Sequence, residues 1–156
     1  MKEKLSHYDD AGRARMVDVS GKADTHRTAS ARAFVRLSPA VLRALPRNPK
    51  GDPLQVARFA GIAAAKRTAE LIPMCHPLLL SHIDVQARRV RGGVELRSMV
   101  TTMGPTGVEM EALTAVAVAA LTVYDMTKAL DKAITIESVE LMEKTGGKRG
   151  PYKRKT

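Results

Sequence analysis

The first 27 residues hold no sustained apolar period; their one apolar patch, Met16-Val17-Asp18-Val19, is long enough to dock against something but too short to be an element. From residue 29 to 37 apolar positions recur at Ala31, Ala33, Val35 and Leu37 with basic residues between them, the two-residue period of a half-buried strand. Ser38-Pro39 supplies an N-cap and a first-turn proline for a short helix over 38–45, and 46–51 reads as a loop. Asp52-Pro53 repeats that start. The alanine-rich run 54–72 then keeps apolar residues at helical spacing until Pro73 stops it. Residues 78–90 read as a strand, Arg91-Gly92-Gly93 as a hairpin turn and 94–102 as the partner strand. A glycine-bounded loop, 104–107, leads into a second long helix over 108–131, and β-branched residues mark a last strand over 134–141.

Strand, helices, strand, strand, helix, strand is the order of a split βαβ unit. It predicts an α+β, ferredoxin-like sandwich with helices packed on one face of an antiparallel sheet. The expected layout is an N-terminal arm (1–27), a single domain (28–145) and a basic flexible tail (146–156). Residues 115–121 are apolar around the whole helix circumference, which predicts a second covering surface from another subunit and hence an oligomer.

Composition narrows the picture. With 156 residues and 44% apolar content the chain can build one real core. No apolar run approaches the ~18 residues a membrane span needs, and the first ten residues are too polar for a secretory signal, so a soluble cytoplasmic protein is expected. The single cysteine, Cys75, excludes an internal disulfide. Of the net charge of +10, six basic side chains and no acidic one lie in the last 13 residues, leaving +4 for the rest. That balance either solubilises the tail or attracts an anionic partner: nucleic acid, an acidic membrane surface or a phosphorylated metabolite. Five scattered aromatic residues make no base-stacking platform, which argues against nucleic acid.

Several positions carry candidate chemistry. At 100° per residue, Glu111, Thr114, Thr122, Asp125 and Lys128 fall on one stripe of the second long helix. Asp125 and Lys128 at i, i+3 form either a local ion pair or an acid/base pair whose proton affinities burial would shift. Glu111 and Asp125, 14 residues apart, are separated by roughly 21 Å along the axis. One small substrate can reach both only if different subunits supply them. Lys50, in the loop before a helix N-terminus, suits either a phosphate or plain solvent. The Gly-rich Thr145-Gly146-Gly147-Lys148 either closes over phosphates or frays. Cys75-His76 lacks the second cysteine or spaced histidine of a metal site, so no metal is assigned to it, and His76 reads as a substrate donor or a structural residue.

Taken in order, longer segments carry a family likeness. They are Met16-Val17-Asp18-Val19-Ser20, Lys50-Gly51-Asp52, Ala57-Arg58-Phe59-Ala60-Gly61-Ile62, Ala65-Lys66-Arg67-Thr68 and Leu71-Ile72-Pro73-Met74-Cys75-His76-Pro77-Leu78. Thr106-Gly107-Val108-Glu109-Met110-Glu111-Ala112-Leu113-Thr114, Leu121-Thr122-Val123-Tyr124-Asp125-Met126-Thr127-Lys128 and Lys144-Thr145-Gly146-Gly147-Lys148 follow. Over about residues 7 to 150 the chain resembles the molybdenum cofactor biosynthesis protein C family, the cyclic pyranopterin monophosphate synthases.

The resemblance implies a lyase that converts (8S)-3′,8-cyclo-7,8-dihydroguanosine 5′-triphosphate, supplied by an upstream radical enzyme, into cyclic pyranopterin monophosphate and pyrophosphate. It implies a catalytic Asp125 with its partner Lys128, and a pocket made by Lys50, Lys66, Met74, Cys75, His76, Glu109, Met110, Glu111 and Lys144. Charge suggests Lys50, Lys66 and His76 as donors to the triphosphate, Glu109 and Glu111 as acceptors from guanine-derived amino groups, and Lys144 against the leaving pyrophosphate. No cofactor is required, although magnesium can accompany the triphosphate. A homohexamer, a trimer of dimers with pockets between subunits, is implied as well. Met74 stands where leucine is expected, Pro53 where valine is common, and Pro105 where a basic residue is frequent; none of these removes a proposed catalytic residue. The rival readings are a basic ferredoxin-like RNA-binding module and a non-catalytic scaffold.

Overall fold

The computed structural model describes residues 6–155. Five strands, β1 (Thr25–Arg36), β2 (Leu80–Val90), β3 (Gly93–Gly104), β4 (Thr135–Thr145) and β5 (Tyr152–Lys153), form one sheet in the order β2-β3-β1-β4-β5, every pair antiparallel. The helices are α1 (Pro39–Ala44), α2 (Pro53–Lys66), α3 (Thr68–Leu71) and α4 (Glu109–Thr127). The first four strands with α2 and α4 over one face make the expected ferredoxin-like α+β sandwich.

Small side chains bring the two layers close. On β1, Ala29, Ala31, Ala33 and Val35 face the helices, with Ala33 opposite Leu96 and Val35 opposite Val94 on β3. Above them lie Ala57 and Ala65 of α2 and Ala112, Ala115, Val116, Ala119 and Val123 of α4, all buried. A methyl group on Gly61 would sit 2.9 Å from the Ala115 carbonyl oxygen and 3.3 Å from Ala119 Cβ. That near-contact of backbones, which only glycine allows, locks α2 against α4. The helices run antiparallel, because Asn48, just before α2, bonds the Met126 carbonyl near the end of α4 (2.7 Å).

Helix starts follow their caps: Asp52 accepts from the Leu54 amide (2.9 Å) with Pro53 in the first turn, and Ser38 caps α1 likewise. The expected single helix over 54–72 is broken. Arg67 leaves the helical region (φ −110°, ψ 12°), and the buried Thr68 hydroxyl donates to the Ala64 and Ala65 carbonyls at the end of α2. Helix α4 stops at Thr127, short of the expected residue 131, while β1 starts at Thr25, ahead of the expected residue 29, and β4 runs on to Thr145, past 141. Residues 152 and 153, within the stretch expected as a tail, pair with Lys144 and Glu143 on β4, and the Arg154 amide bonds the Met142 carbonyl (2.8 Å).

One helix, α4, is by length and mean hydropathy apolar enough to cross a membrane, but it carries Glu109, Glu111 and Asp125 and its sheet-facing side is buried in this domain. The stretch that looked apolar all round keeps an outward side, with Leu121 56% exposed and Phe59 on α2 72% exposed. The opposite sheet face carries ion pairs, including Arg36–Glu137 (2.8 Å) and Arg88–Glu95 (2.7 Å). Its arginines already have carboxylates, and Phe34 lies under Arg36 rather than free for a base, so the RNA-binding reading gains no support there.

Candidate active site

At the N-terminal end of α4 a cavity of about 230 Å³ opens between the helix, the segment after α3 and the N-terminal arm. Six of the expected pocket residues line it: Met74, Cys75 and His76 from the turn that Pro73 forces, and Glu109, Met110 and Glu111 from the first turn of α4. Lys144, at the end of β4, is not in the lining but pairs with Glu109 at 2.8 Å. The His76 ring is held by its Nε2, 2.6 Å from the Val17 carbonyl oxygen, so the apolar patch of the arm does dock, and it docks here. Residues that the sequence reading passed over also line the cavity: His7, Val17, Val19 and Lys22 from the arm, and Leu78. The signal for them was Met16-Val17-Asp18-Val19; nothing local tied His7 or Lys22 to it.

Glu111 dominates the electrostatics of this end. Its side chain is buried, and burial pushes its carboxyl up to about 7, with the neighbouring Glu109 charge raising it further and its own backbone amide opposing. A carboxyl poised there can hold or release a proton at neutral pH. Burial also pushes the Cys75 thiol up, and the Glu111 charge adds to the effect, so Cys75 is a neutral wall and not a thiolate nucleophile.

The other end of α4 carries Asp125 and Lys128, bonded to each other at 2.6 Å. Here the expectation of a buried pair is corrected: their side chains are 61% and 49% exposed in the single chain. The two lie on the same stripe of the helix, but Glu111 is covered by the segment after α3 whereas Asp125 is left exposed in the single chain. The Lys128 ammonium, chiefly through its hydrogen bond, holds the Asp125 carboxyl below its usual range, and Asp125 raises Lys128 in return. Lys50, 75 residues earlier in the chain, adds a smaller downward pull on Asp125 from the loop before α2. Beside it lies an open cavity of about 380 Å³ whose charged lining is Arg43, Arg47 and Lys50, a basic surface that the sequence did not announce. Lys66 ends α2 at the Glu111 end and is exposed.

The expected residues therefore fall into two groups at opposite ends of one helix, about 21 Å apart at 1.5 Å per residue. Among the described residues no three His, Cys, Asp or Glu side chains gather as a metal site. The protein side of this site is a slot at one end that sets Glu109 and Glu111 beside Lys22, His7, His76 and apolar walls, and a cationic, acid/base-bearing surface at the other.

A model of the MoaC family matches residues 16–147. A Novosphingobium aromaticivorans protein named cyclic pyranopterin monophosphate synthase is 54% identical over 151 residues, covering 96% of both chains. Proteins of the same name from Thermomicrobium roseum (55% over 155 residues, 97% of this chain and 93% of that one) and Roseiflexus sp. (54% over 152 residues, 95% and 96%) match similarly. The match takes in the cavity, the Asp125–Lys128 pair and the helix that joins them, and this chain belongs to the MoaC family.

Proposed function

We propose that this chain is a cyclic pyranopterin monophosphate synthase, a phosphorus–oxygen lyase that rearranges 3′,8-cyclised dihydroguanosine triphosphate and expels pyrophosphate. The observation that carries this reading is identity above 50%, nearly end to end, with proteins of that name. The geometry supports it by offering separate environments for the two halves of such a substrate.

Glu109 and Glu111 accept hydrogen bonds from the amino groups of the guanine-derived ring, with Met74, Cys75 and Met110 as walls. Binding there competes for Glu109, releasing Lys144 to face the departing pyrophosphate. Lys50, Lys66 and His76 donate to the phosphates. Asp125, ionised beside Lys128, takes a proton during ring opening and closure, and Lys128 returns one. In the phosphate step a substrate hydroxyl oxygen bonds to the α-phosphorus, its proton passes to the base, and the bond to the β-phosphate oxygen breaks with its electron pair leaving on pyrophosphate. A magnesium ion, where present, travels on the phosphates.

One substrate cannot span both ends of α4 in one chain, so the pocket is completed by a second copy, whose Asp125 end meets the Glu111 end of the first. The exposed Phe59 and Leu121 are apolar surface that such packing would cover. A homohexamer built as a trimer of dimers, working in the cytoplasm on the product of a radical enzyme, fits this reading.

The test is pyrophosphate release and pterin formation from the cyclised triphosphate by the unaltered chain, Asp125→Asn and Lys128→Ala. Loss in both variants with an unchanged melt supports the assignment; a folded, unaltered chain without turnover overturns it.

A further inference from the structure

The N-terminal arm is more than a leader to β1. Tyr8 and Ala14 form a bridge, Asp9 Oδ1 accepts from the Ala11 and Arg13 amides at 2.9 Å each, and the Arg15 amide donates to the His7 carbonyl at 2.9 Å. The chain from 7 to 15 is thus a small closed hairpin. Beyond it, Val17 and Val19 run along the cavity wall, and Val17 is fastened to His76.

His7 is held in this hairpin by its backbone, which leaves its ring free for another use. His7 lines the cavity together with Cys75, His76, Glu109 and Glu111. Its Nδ1 is buried, yet it meets no hydrogen-bond partner among the described residues, and it is the one such buried side-chain nitrogen or oxygen among them. A buried polar nitrogen with no partner is unfavourable, and in a residue that lines a cavity it can gain one when a ligand binds and the arm adjusts around it.

We propose that the arm is part of the substrate pocket and that His7 contacts the bound heterocycle through Nδ1. The inference rests on the reading of this cavity as the site of a nucleotide-derived substrate. The heterocycle is the partner because Glu109 and Glu111 share the cavity with His7 and are acceptors suited to ring amino groups. Apolar walls from Met74, Leu78 and Val17 suit a flat ring. At about 230 Å³ the cavity is also smaller than the roughly 300–1,000 Å³ that encloses a whole drug-sized ligand, so it takes one end of the substrate. Neutral imidazole nitrogen accepts from a ring amino group in one tautomer and donates to a ring carbonyl in the other, and a guanine-derived ring carries both.

The experiment compares pyrophosphate release by the unaltered chain, His7→Phe, which keeps the ring volume without the nitrogens, and His7→Asn, whose amide lies near the place of Nδ1. The expected result is a fall in kcat/KM of about tenfold for His7→Phe, carried mostly by KM, with most of it recovered in His7→Asn and the melt unchanged. Unaltered kcat/KM in His7→Phe overturns the proposal. If His7→Phe fails to fold, the imidazole nitrogen resonances of His7 are followed in Asp125→Asn, where the substrate binds without being consumed. A shift of the Nδ1 resonance on adding the cyclised triphosphate supports the contact; none overturns it. Absence of turnover by the unaltered chain would instead remove the functional reading itself, so the two failures are told apart.

Discussion

Lys144 Nζ lies 2.8 Å from Glu109 Oε1, which ties the last residues of β4 to the first turn of α4 beside the cavity. Both side chains are mostly buried, so the lysine is held beside a carboxylate that lines the cavity. If Lys144 opposes charge on the departing pyrophosphate, Lys144→Ala lowers kcat roughly a hundredfold, and Lys144→Arg restores much of it. Steady-state pyrophosphate release measures both; a Lys144→Ala enzyme at full kcat would show the pair to be only a structural tie.

Glu111 links the cavity to stability. Its carboxyl, raised from 4.5 to about 7 mainly by burial, keeps its proton in the folded chain at pH values where the unfolded chain has lost it. The stability associated with that proton is complete below about pH 4.5 and is lost as pH rises through about 7. Between pH 5 and 8 the loss is on the order of 2 kcal/mol. Urea midpoints across this range fall for the unaltered chain and lose that component of the fall in Glu111→Gln.

A pocket shared between copies makes a quantitative demand. Asp125→Asn and Glu111→Gln oligomers, each inactive alone, regain activity when unfolded together and refolded. With random mixing, about a quarter of the pockets combine an intact Asp125 end with an intact Glu111 end. Recovery near zero would mean that each chain supplies both ends of its own site. The Asp125–Lys128 pair is solvent-exposed, so Asp125→Asn leaves the melt of the single chain nearly unchanged.

Gly61 tests the fold itself. In Gly61→Ala the new methyl would meet the Ala115 carbonyl oxygen at 2.9 Å and Val85 Cγ1 at 3.1 Å. Backbone oxygen cannot swing aside, so α2 must move off α4. A loss of about 1–3 kcal/mol is expected in denaturant titration.

Much of this was legible along the chain. Caps at Ser38 and Asp52, the alternation along β1 and the glycine pair at the β2–β3 turn are local signals, and the elements they predict are present. The ends of elements were less legible. Nothing in the alanine-rich run marks Arg67 as a break, since the Thr68 hydroxyl that turns back onto Ala64 and Ala65 does so in a buried setting that spacing alone does not reveal. The pairing of Tyr152–Lys153 with β4 needs a reversal between them, where Gly146 and Gly147 adopt φ of 83° and 84°.

The candidate site divides the same way. Residue identity and order along the chain determined the family, the nature of the two charged groups on α4 and their separation, because helical rise is the same wherever a helix sits. Tertiary structure decided which of those groups is buried: Glu111 is covered at the cavity and gains a near-neutral pKa, whereas Asp125 is exposed and keeps a low one. It also decided that Lys144 meets Glu109, that Lys50 approaches Asp125 and that His7 enters the cavity. Burial and contact between distant segments depend on how layers close over one another, and no local pattern of residue types contains that closure.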